Sequence, residues 1–189
     1  GLPSIMSGHI ALPEYVRHFK PDATVEELAM PSSLNPIVIQ NLLRDKLNFN
    51  GVVVTDASHM VAMTSAMKRS NMLPTAIAAG CDLFLFFNDP EEDFNWMMEG
   101  YKKGIITEQR LEEALTRILG LKAFLGLHKK AKTEILQPKE EAMAKIGLEE
   151  NKAIAPVISD KAITLVKNKQ ELLPISPEKH KRVLLVEVK

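Results

Sequence analysis

The sequence has few of the residues that define several specialised classes of protein. Cys81 is the only cysteine among 189 residues, so an intrachain disulfide is excluded, and its apolar surroundings predict a small core residue. Lys plus Arg number 24 and Asp plus Glu number 24, which leaves no net charge to attract nucleic acid or an anionic membrane. No apolar run is long enough to span a bilayer. We therefore expect no nucleic-acid partner and no membrane span.

Targeting signals are also absent from the sequence. It contains no recognisable signal peptide, and Gly1 is an unusual first residue, so we expect the natural chain to begin further upstream. A cytoplasmic location is the first expectation, with a secreted or periplasmic location as the alternative. The remaining composition, 46% hydrophobic and 25% charged, is typical of a globular protein.

Residues 51–60, GVVVTDASHM, form the stretch around which the chain is organised. The run from Val52 to Thr55 predicts a strand buried on both faces, as in a parallel sheet. Asp56 follows at the carboxyl end of this strand, the edge at which parallel β/α folds carry their chemistry. Asp is also a favoured helix N-cap. From spacing alone, Asp56 is therefore either a catalytic carboxylate or a cap.

Two further buried strands are predicted, at Ser4–Ile10 and at Asp82–Phe87. We expect all three strands to lie side by side and parallel, with His9 and Asp56 at the same end of the sheet. For an isolated histidine such as His9, hydrogen bonding to a backbone carbonyl is the commoner arrangement. Three strands alone leave sheet edges and one apolar face uncovered. We therefore expect a homo-oligomer or retained parts of the same protein to cover them, which sedimentation can test.

Helices are predicted between and after the strands. Asn35 and Pro36 suit the cap and first position of a helix whose Arg44 lies on the solvent side. A helical stretch from Val61 to Ala79 is expected to break at Ser70–Pro74. Three later residues are predicted to begin two more helices as caps or first residues: Asp89, Pro90 and Thr107.

A methionine stripe at helical spacing follows the central strand. Met60, Met63 and Met67 recur along one helix face. Such a stripe can form a binding surface, but core packing is its more common use.

The composition changes after Gly126. Residues 129–141 are polar and predict a linker, and residues 140–157 predict a helix. Two more strands are expected, at Ala162–Val166 and Arg182–Val188. These features divide the chain into three predicted regions: 1–128 as the end of a β/α domain, 129–160 as linker and helix, and 161–189 as the start of a second α/β domain.

Several segments together resemble family 3 glycoside hydrolases, and they cover nearly the whole chain: IMSGHI, PSSLNPIVIQNLLRDKLNFNGVVVTDASHM, AIAAGCDLFLF and AITLVKNKQELLPI. The most specific is LLRDKLNFNGVVVTD. The spacing from Asp56 to Met60 is closer to the β-N-acetylhexosaminidase branch than to the β-glucosidases. The resemblance implies the last βα units of a partial (β/α)8 barrel of the TIM type, followed by the start of an α/β sandwich domain.

The resemblance also implies a function. Asp56 matches the family's nucleophile, which forms a glycosyl-enzyme in retaining cleavage of terminal β-linked N-acetylglucosamine. His9 and Met60 match positions that line the sugar pocket, and His9 does not match the acid/base. The reaction uses a carbohydrate substrate, and neither a cofactor nor a metal is expected.

Some features of that family are missing from these residues. The acid/base histidine loop is implied to lie upstream of Gly1, so the chain alone is expected to be catalytically incomplete. His59 occupies a position at which a smaller polar residue is expected. Two alternatives stay open: a β-glucosidase or β-xylosidase of the same family, and a non-catalytic fragment that binds sugar or another protein.

Overall fold

The computed structural model describes residues 1–187, which divide into two compact units, 1–131 and 132 onward. The first unit contains the strands β1 (Ser4–Ser7), β2 (Val52–Ala57) and β3 (Leu83–Leu85). Its α-helices are α1 (Pro13–Phe19), α2 (Val25–Leu28), α3 (Val61–Thr64), α4 (Arg69–Ala79), α5 (Pro90–Lys102) and α6 (Glu108–Phe124). A π-type helix spans Ile37–Lys46, and short 3-10 turns span Ser32–Leu34 and Leu127–Lys129.

The three strands form one parallel sheet in the order β1-β2-β3, which confirms the predicted arrangement. Their lengths differ from the prediction. Strand β2 runs on to Ala57, so Asp56 lies within the strand and not after it. Strand β1 stops at Ser7, and the carbonyl of Ile10 accepts a hydrogen bond from the Ser32 amide, 3.1 Å away. Strand β3 stops at Leu85, because the next residue has a positive φ angle.

The two faces of the sheet have different surroundings. Val53 packs with Ile39 and Cys81, so helices cover its face. Side chains alternate along a strand, so Val54 and Asp56 lie on the other face. Met6, aligned with Val54 in the neighbouring strand, is 53% exposed. The expectation that helices would cover one face only is therefore confirmed for this part of the sheet.

The prediction that Arg44 lies on the solvent side is wrong. Its side chain is buried and donates to Asp82 at 2.8 Å and to the carbonyl of Gly51 at 2.6 Å. Asp82 also accepts from Arg110, Arg117 and the Val53 amide. Burial lowers the pKa of the Arg44 guanidinium and the nearby Asp82 carboxylate opposes this shift. A buried carboxylate at the amino end of β3 therefore holds three arginines from two helices against the sheet.

The predicted helix break at Ser70–Pro74 is also wrong. Helix α4 runs through Pro74, and the break lies earlier, between Thr64 and Arg69. Pro74 is buried where α4 meets α5, and a Cβ atom on Gly100 of α5 would lie 2.3 Å from the Pro74 Cβ. The proline ring thus fills a close helix contact that a glycine permits.

The helix starts predicted after β3 are confirmed. The Asp89 side chain accepts from the amides of Glu91 and Glu92 at the start of α5, with Pro90 as its first residue. The Thr107 hydroxyl accepts from the Arg110 amide at the start of α6. Each side chain therefore satisfies amide groups that the first helical turn leaves unpaired.

The second unit is helical where it is regular. It contains α7 (Lys132–Ile135), α8 (Lys139–Ala144), α9 (Glu149–Ala162) and a 3-10 turn at Lys169–Glu171. The strands predicted at Ala162–Val166 and Arg182–Val188 do not form within residues 162–187, and Val188 lies outside the described residues. Apolar β-forming runs give a strand only where a neighbouring strand accepts their backbone hydrogen bonds.

Candidate active site

Asp56 lies near the carboxyl end of β2, the middle strand of the sheet. Its side chain is half-buried, and its Oδ1 accepts a hydrogen bond from the Ala57 amide at 2.7 Å. Within residues 1–187 this amide is the one hydrogen-bond donor to the carboxylate. Asp56 does not cap a helix, because α3 begins at Val61 after Met60. The hydrogen bond to Oδ1 therefore orients the carboxylate and leaves Oδ2 available to a ligand.

His9 is buried two residues beyond β1 and reaches the same edge of the sheet. Its Nε2 lies 3.0 Å from the carbonyl of Ala57, and its Nδ1 lies 2.7 Å from the Ser33 hydroxyl. Because a carbonyl only accepts, Nε2 is the donor to Ala57, and Nδ1 shares a hydrogen bond with the Ser33 hydroxyl. His9 therefore holds the residue next to Asp56, and its role in sugar binding stays a prediction.

The methionine stripe has one exposed member. Met63 is fully buried in the core with Met72 and Leu73, and Met67 packs against that cluster. Met60 is 42% exposed at the start of α3, four residues beyond Asp56. Packing thus accounts for Met63 and Met67, and Met60 remains the candidate for contact with a substrate.

The sequence patterns did not predict a polar cluster that includes Ser58, two residues beyond Asp56. Arg69 donates to both carboxylate oxygens of Asp93, at 2.8 and 2.6 Å, and to the Ser58 hydroxyl at 3.0 Å. Asp93 also accepts from the Asn88 amide at 3.1 Å. The cluster ties the loop after β2 to the loop after β3. Arg69 and Asp93 are 24 residues apart, so no local pattern pairs them.

Neither a metal nor a membrane site is evident in the described part of the chain. Among residues 1–187, no group of three or more His, Cys, Asp or Glu side chains could hold a metal ion. No helix within the same range is long and apolar enough to cross a membrane.

An open cavity of about 930 Å³ lies by Asn50, Gly51 and Arg117, at the end of β2 opposite Asp56. The candidate site at the carboxyl edge is thus defined by Asp56 and its neighbours.

Comparison with known families identifies the class of protein. Residues 1–121 match the model of the glycosyl hydrolase family 3 N terminal domain. This chain therefore belongs to glycoside hydrolase family 3, and the resemblance noted in its motifs is confirmed. The structure shows a helix-rich α/β part of that domain with a small parallel sheet.

Individual relatives match the chain over most of its length. The chain is 40% identical over 188 residues to a β-N-acetylglucosaminidase/β-glucosidase of Cellulomonas fimi, covering 100% of this chain and 32% of that protein. The solved structure of the β-glucoside phosphorylase BglX is 41% identical, with a TM-score of 0.81 over 95% of this chain and 32% of that one.

A third relative is a family 3 β-N-acetylglucosaminidase from Paenibacillus sp. str. FPU-7. Its structure is 26% identical, with a TM-score of 0.67, and the match covers 91% of this chain and 30% of that one. The chain thus spans about a third of the length of each of these relatives.

Proposed function

We propose that Asp56 is the nucleophile of a retaining glycosidase that removes terminal β-linked N-acetylglucosamine. The observation that carries this proposal is the Asp56 carboxylate at the carboxyl edge of the middle strand, with one oxygen oriented by the Ala57 amide. Membership of glycoside hydrolase family 3 supports the reaction class. The relatives named as β-N-acetylglucosaminidases support the sugar.

The proposed chemistry has two displacement steps at the anomeric carbon. In the first step, a carboxylate oxygen of Asp56 forms a bond to that carbon while the bond to the leaving oxygen breaks, and a general acid protonates the leaving oxygen. In the second step, water deprotonated by the same group attacks the anomeric carbon and releases Asp56. Two inversions give overall retention of configuration.

The general acid is proposed to come from outside residues 1–187. Both ring nitrogens of His9 are already in hydrogen bonds, to Ser33 and to the carbonyl of Ala57, so His9 is unsuited to transfer a proton to substrate. The family resemblance implies an acid/base histidine on an upstream loop. In this proposal, the sheet of residues 1–131 forms the last strands of a (β/α)8 barrel, which positions Asp56 opposite that loop.

Substrate specificity has a second candidate within the same chemistry. The Cellulomonas fimi relative is named for both N-acetylglucosaminidase and glucosidase activity. A β-glucosidase or β-xylosidase would use the same Asp56 carboxylate, because the nucleophile attacks the anomeric carbon and not the substituent at C2. Turnover of aryl N-acetyl-β-glucosaminide, β-glucoside and β-xyloside separates the three.

A phosphorylase is the second candidate reaction, favoured by the 41% identity to the β-glucoside phosphorylase BglX. In this reaction phosphate, in place of water, attacks the glycosyl-enzyme. A phosphate oxygen forms the new bond to the anomeric carbon, and the bond to Asp56 breaks. The product is then a sugar 1-phosphate, which is distinguished from the free sugar by phosphorus NMR.

The nucleophile assignment is tested with Asp56→Asn in the full-length enzyme, with Asp45→Asn on the exposed side of the π-type helix as the matched control. We expect the Asp56 variant to lose at least about a thousandfold in turnover of an aryl N-acetyl-β-glucosaminide, because the attacking anion is gone. The Asp45 variant should keep normal turnover. A 2-fluoro glycoside should label the wild-type peptide that contains Asp56, as mass spectrometry can show. Normal turnover by folded Asp56→Asn would disprove the assignment.

A further inference from the structure

Phe86 has an unusual backbone conformation at the edge of the candidate site. Its φ angle is +59°, in the left-handed region that bulky residues rarely adopt, and its side chain is 55% exposed. Such conformations persist where surrounding contacts hold them, and they concentrate at ligand-binding sites. Phe86 lies directly after β3, next to the strand that carries Asp56.

Several contacts fix the Phe86 backbone. Its carbonyl accepts hydrogen bonds from the Ser58 hydroxyl and from Arg69, the latter at 3.4 Å. The Ser58 amide donates to the carbonyl of Leu85 at 2.9 Å. Arg69 is itself held by the buried carboxylate of Asp93. These bonds determine where the Phe86 ring stands relative to the strand end that bears Asp56.

The Phe86 ring has an aromatic neighbour three residues beyond Asp56. The rings of His59 and Phe86 are stacked, with centroids 5.8 Å apart and an angle of 23° between their planes. His59 is exposed, as is Phe86. We call these two rings the aromatic ledge. His59 also occupies the position at which a smaller polar residue was expected, so the ledge is a departure from the family pattern.

We propose that the aromatic ledge binds the leaving group of the glycoside by stacking against its flat face. An aromatic ring and a sugar ring both offer such a face, and aromatic side chains bind either by contact over the ring. The ledge rests on two loops held together by Arg69, so its rings are placed before substrate binds.

The assignment to the leaving group rests on the proposed function. An enzyme that removes a terminal sugar encloses that sugar in a pocket beside the nucleophile. The rest of the substrate then extends towards solvent. Asp56 is half-buried. Both ledge rings are exposed, and they lie in the loops that follow β2 and β3 at the same edge of the sheet. The ledge therefore suits the outer part of the substrate, beyond the bond that is cleaved.

The test uses the full-length enzyme and substrates that share one terminal sugar but differ in leaving group: 4-nitrophenyl, a second sugar and methyl. The variants are Phe86→Gly and His59→Ala, with Phe124→Leu as control, because Phe124 is 82% exposed on α6. Glycine accepts a positive φ, so Phe86→Gly removes the ring without unfolding the loop. Phosphate is present, so that hydrolysis and phosphorolysis are both detected.

We expect each ledge variant to lower kcat/KM for the 4-nitrophenyl glycoside by about three- to tenfold, the effect of one aromatic contact. The methyl glycoside should change by less than about twofold, because it has no ring to stack. A parallel loss for the disaccharide shows that sugar leaving groups use the ledge, and its absence restricts the ledge to aryl groups.

Two failures are distinguishable. If the wild type cleaves the glycosides but the ledge variants lose activity equally on the 4-nitrophenyl and methyl substrates, or lose none, the ledge proposal is overturned and the proposed function stands. If the wild type cleaves no glycoside that it is offered, the proposed function is overturned and the ledge proposal falls with it.

Discussion

The contact between α4 and α5 gives a matched pair of substitutions whose effects should have opposite signs. Gly100 and Gly120 both lie in helices, where replacing glycine with alanine typically stabilises by about 1 kcal/mol. A Cβ at residue 120 meets no atom within 4 Å. A Cβ at residue 100 would lie 2.3 Å from the Cβ of Pro74 and 3.0 Å from its Cγ. Carbon atoms pack at about 3.5–4.0 Å, and the proline ring cannot rotate away.

The two terms give a magnitude for each variant. Overpacking a close core contact costs about 1–3 kcal/mol, and the rigid ring and fixed backbone place Gly100→Ala at the upper end. After the propensity gain, we expect Gly100→Ala to lower the free energy of unfolding by about 2 kcal/mol. Gly120→Ala should raise it by about 0.5–1 kcal/mol.

Urea unfolding followed by circular dichroism measures both free energies on the 189-residue protein. Circular dichroism is preferable to fluorescence here, because Trp96 lies on the same helix as Gly100. Equal effects of the two substitutions, or a more stable Gly100→Ala protein, would refute the packing of α4 on α5 described above.

Two further predictions concern buried groups. Asp82→Asn should destabilise the protein by about 3–5 kcal/mol, because it leaves buried arginines without their counter-charge. In the same urea experiment, the exposed control Asp45→Asn should lower the free energy of unfolding by less than about 0.5 kcal/mol. A loss below about 1 kcal/mol for Asp82→Asn would contradict the ion-pair geometry. Burial raises the pKa of the Cys81 thiol from its ordinary value of 9.0 to about 12, so its contribution to stability is complete below pH 9.0 and is lost as the pH rises towards about 12. At pH 8 the folded protein should therefore resist iodoacetamide and the urea-unfolded protein should react; fast labelling of the folded form would show that Cys81 is accessible.

The sequence identified those features that depend on neighbouring residues. Continuous apolar runs located the three parallel strands, because a strand buried between helices needs no polar alternation. Asp89 and Thr107 identified helix starts, because a cap bonds to amides two or three residues away. The strand-end position of Asp56 likewise follows from one short run of residues.

Features that depend on distant partners could not be predicted in the same way. The helical pattern alone predicts that Arg44 faces solvent. It is buried because its guanidinium pairs with Asp82, 38 positions later in the sequence. Pro74 reads as a helix breaker until Gly100 provides space for its ring. The Arg69–Asp93 pair, which connects the loops on either side of the candidate site, has the same long-range origin.

The buried Asp82 carboxylate also sets a lower limit on the length of chain that can fold as a unit. Its arginine partners come from both sides of Asp82 in the sequence: Arg44 from the helix before β2, and Arg110 and Arg117 from α6. A protein truncated before α6 would keep the carboxylate in the interior but lose two of its three guanidinium groups. Proteolytic trimming from the carboxyl end should therefore stop before it removes α6, and a folding unit that contains Asp82 should extend through Arg117.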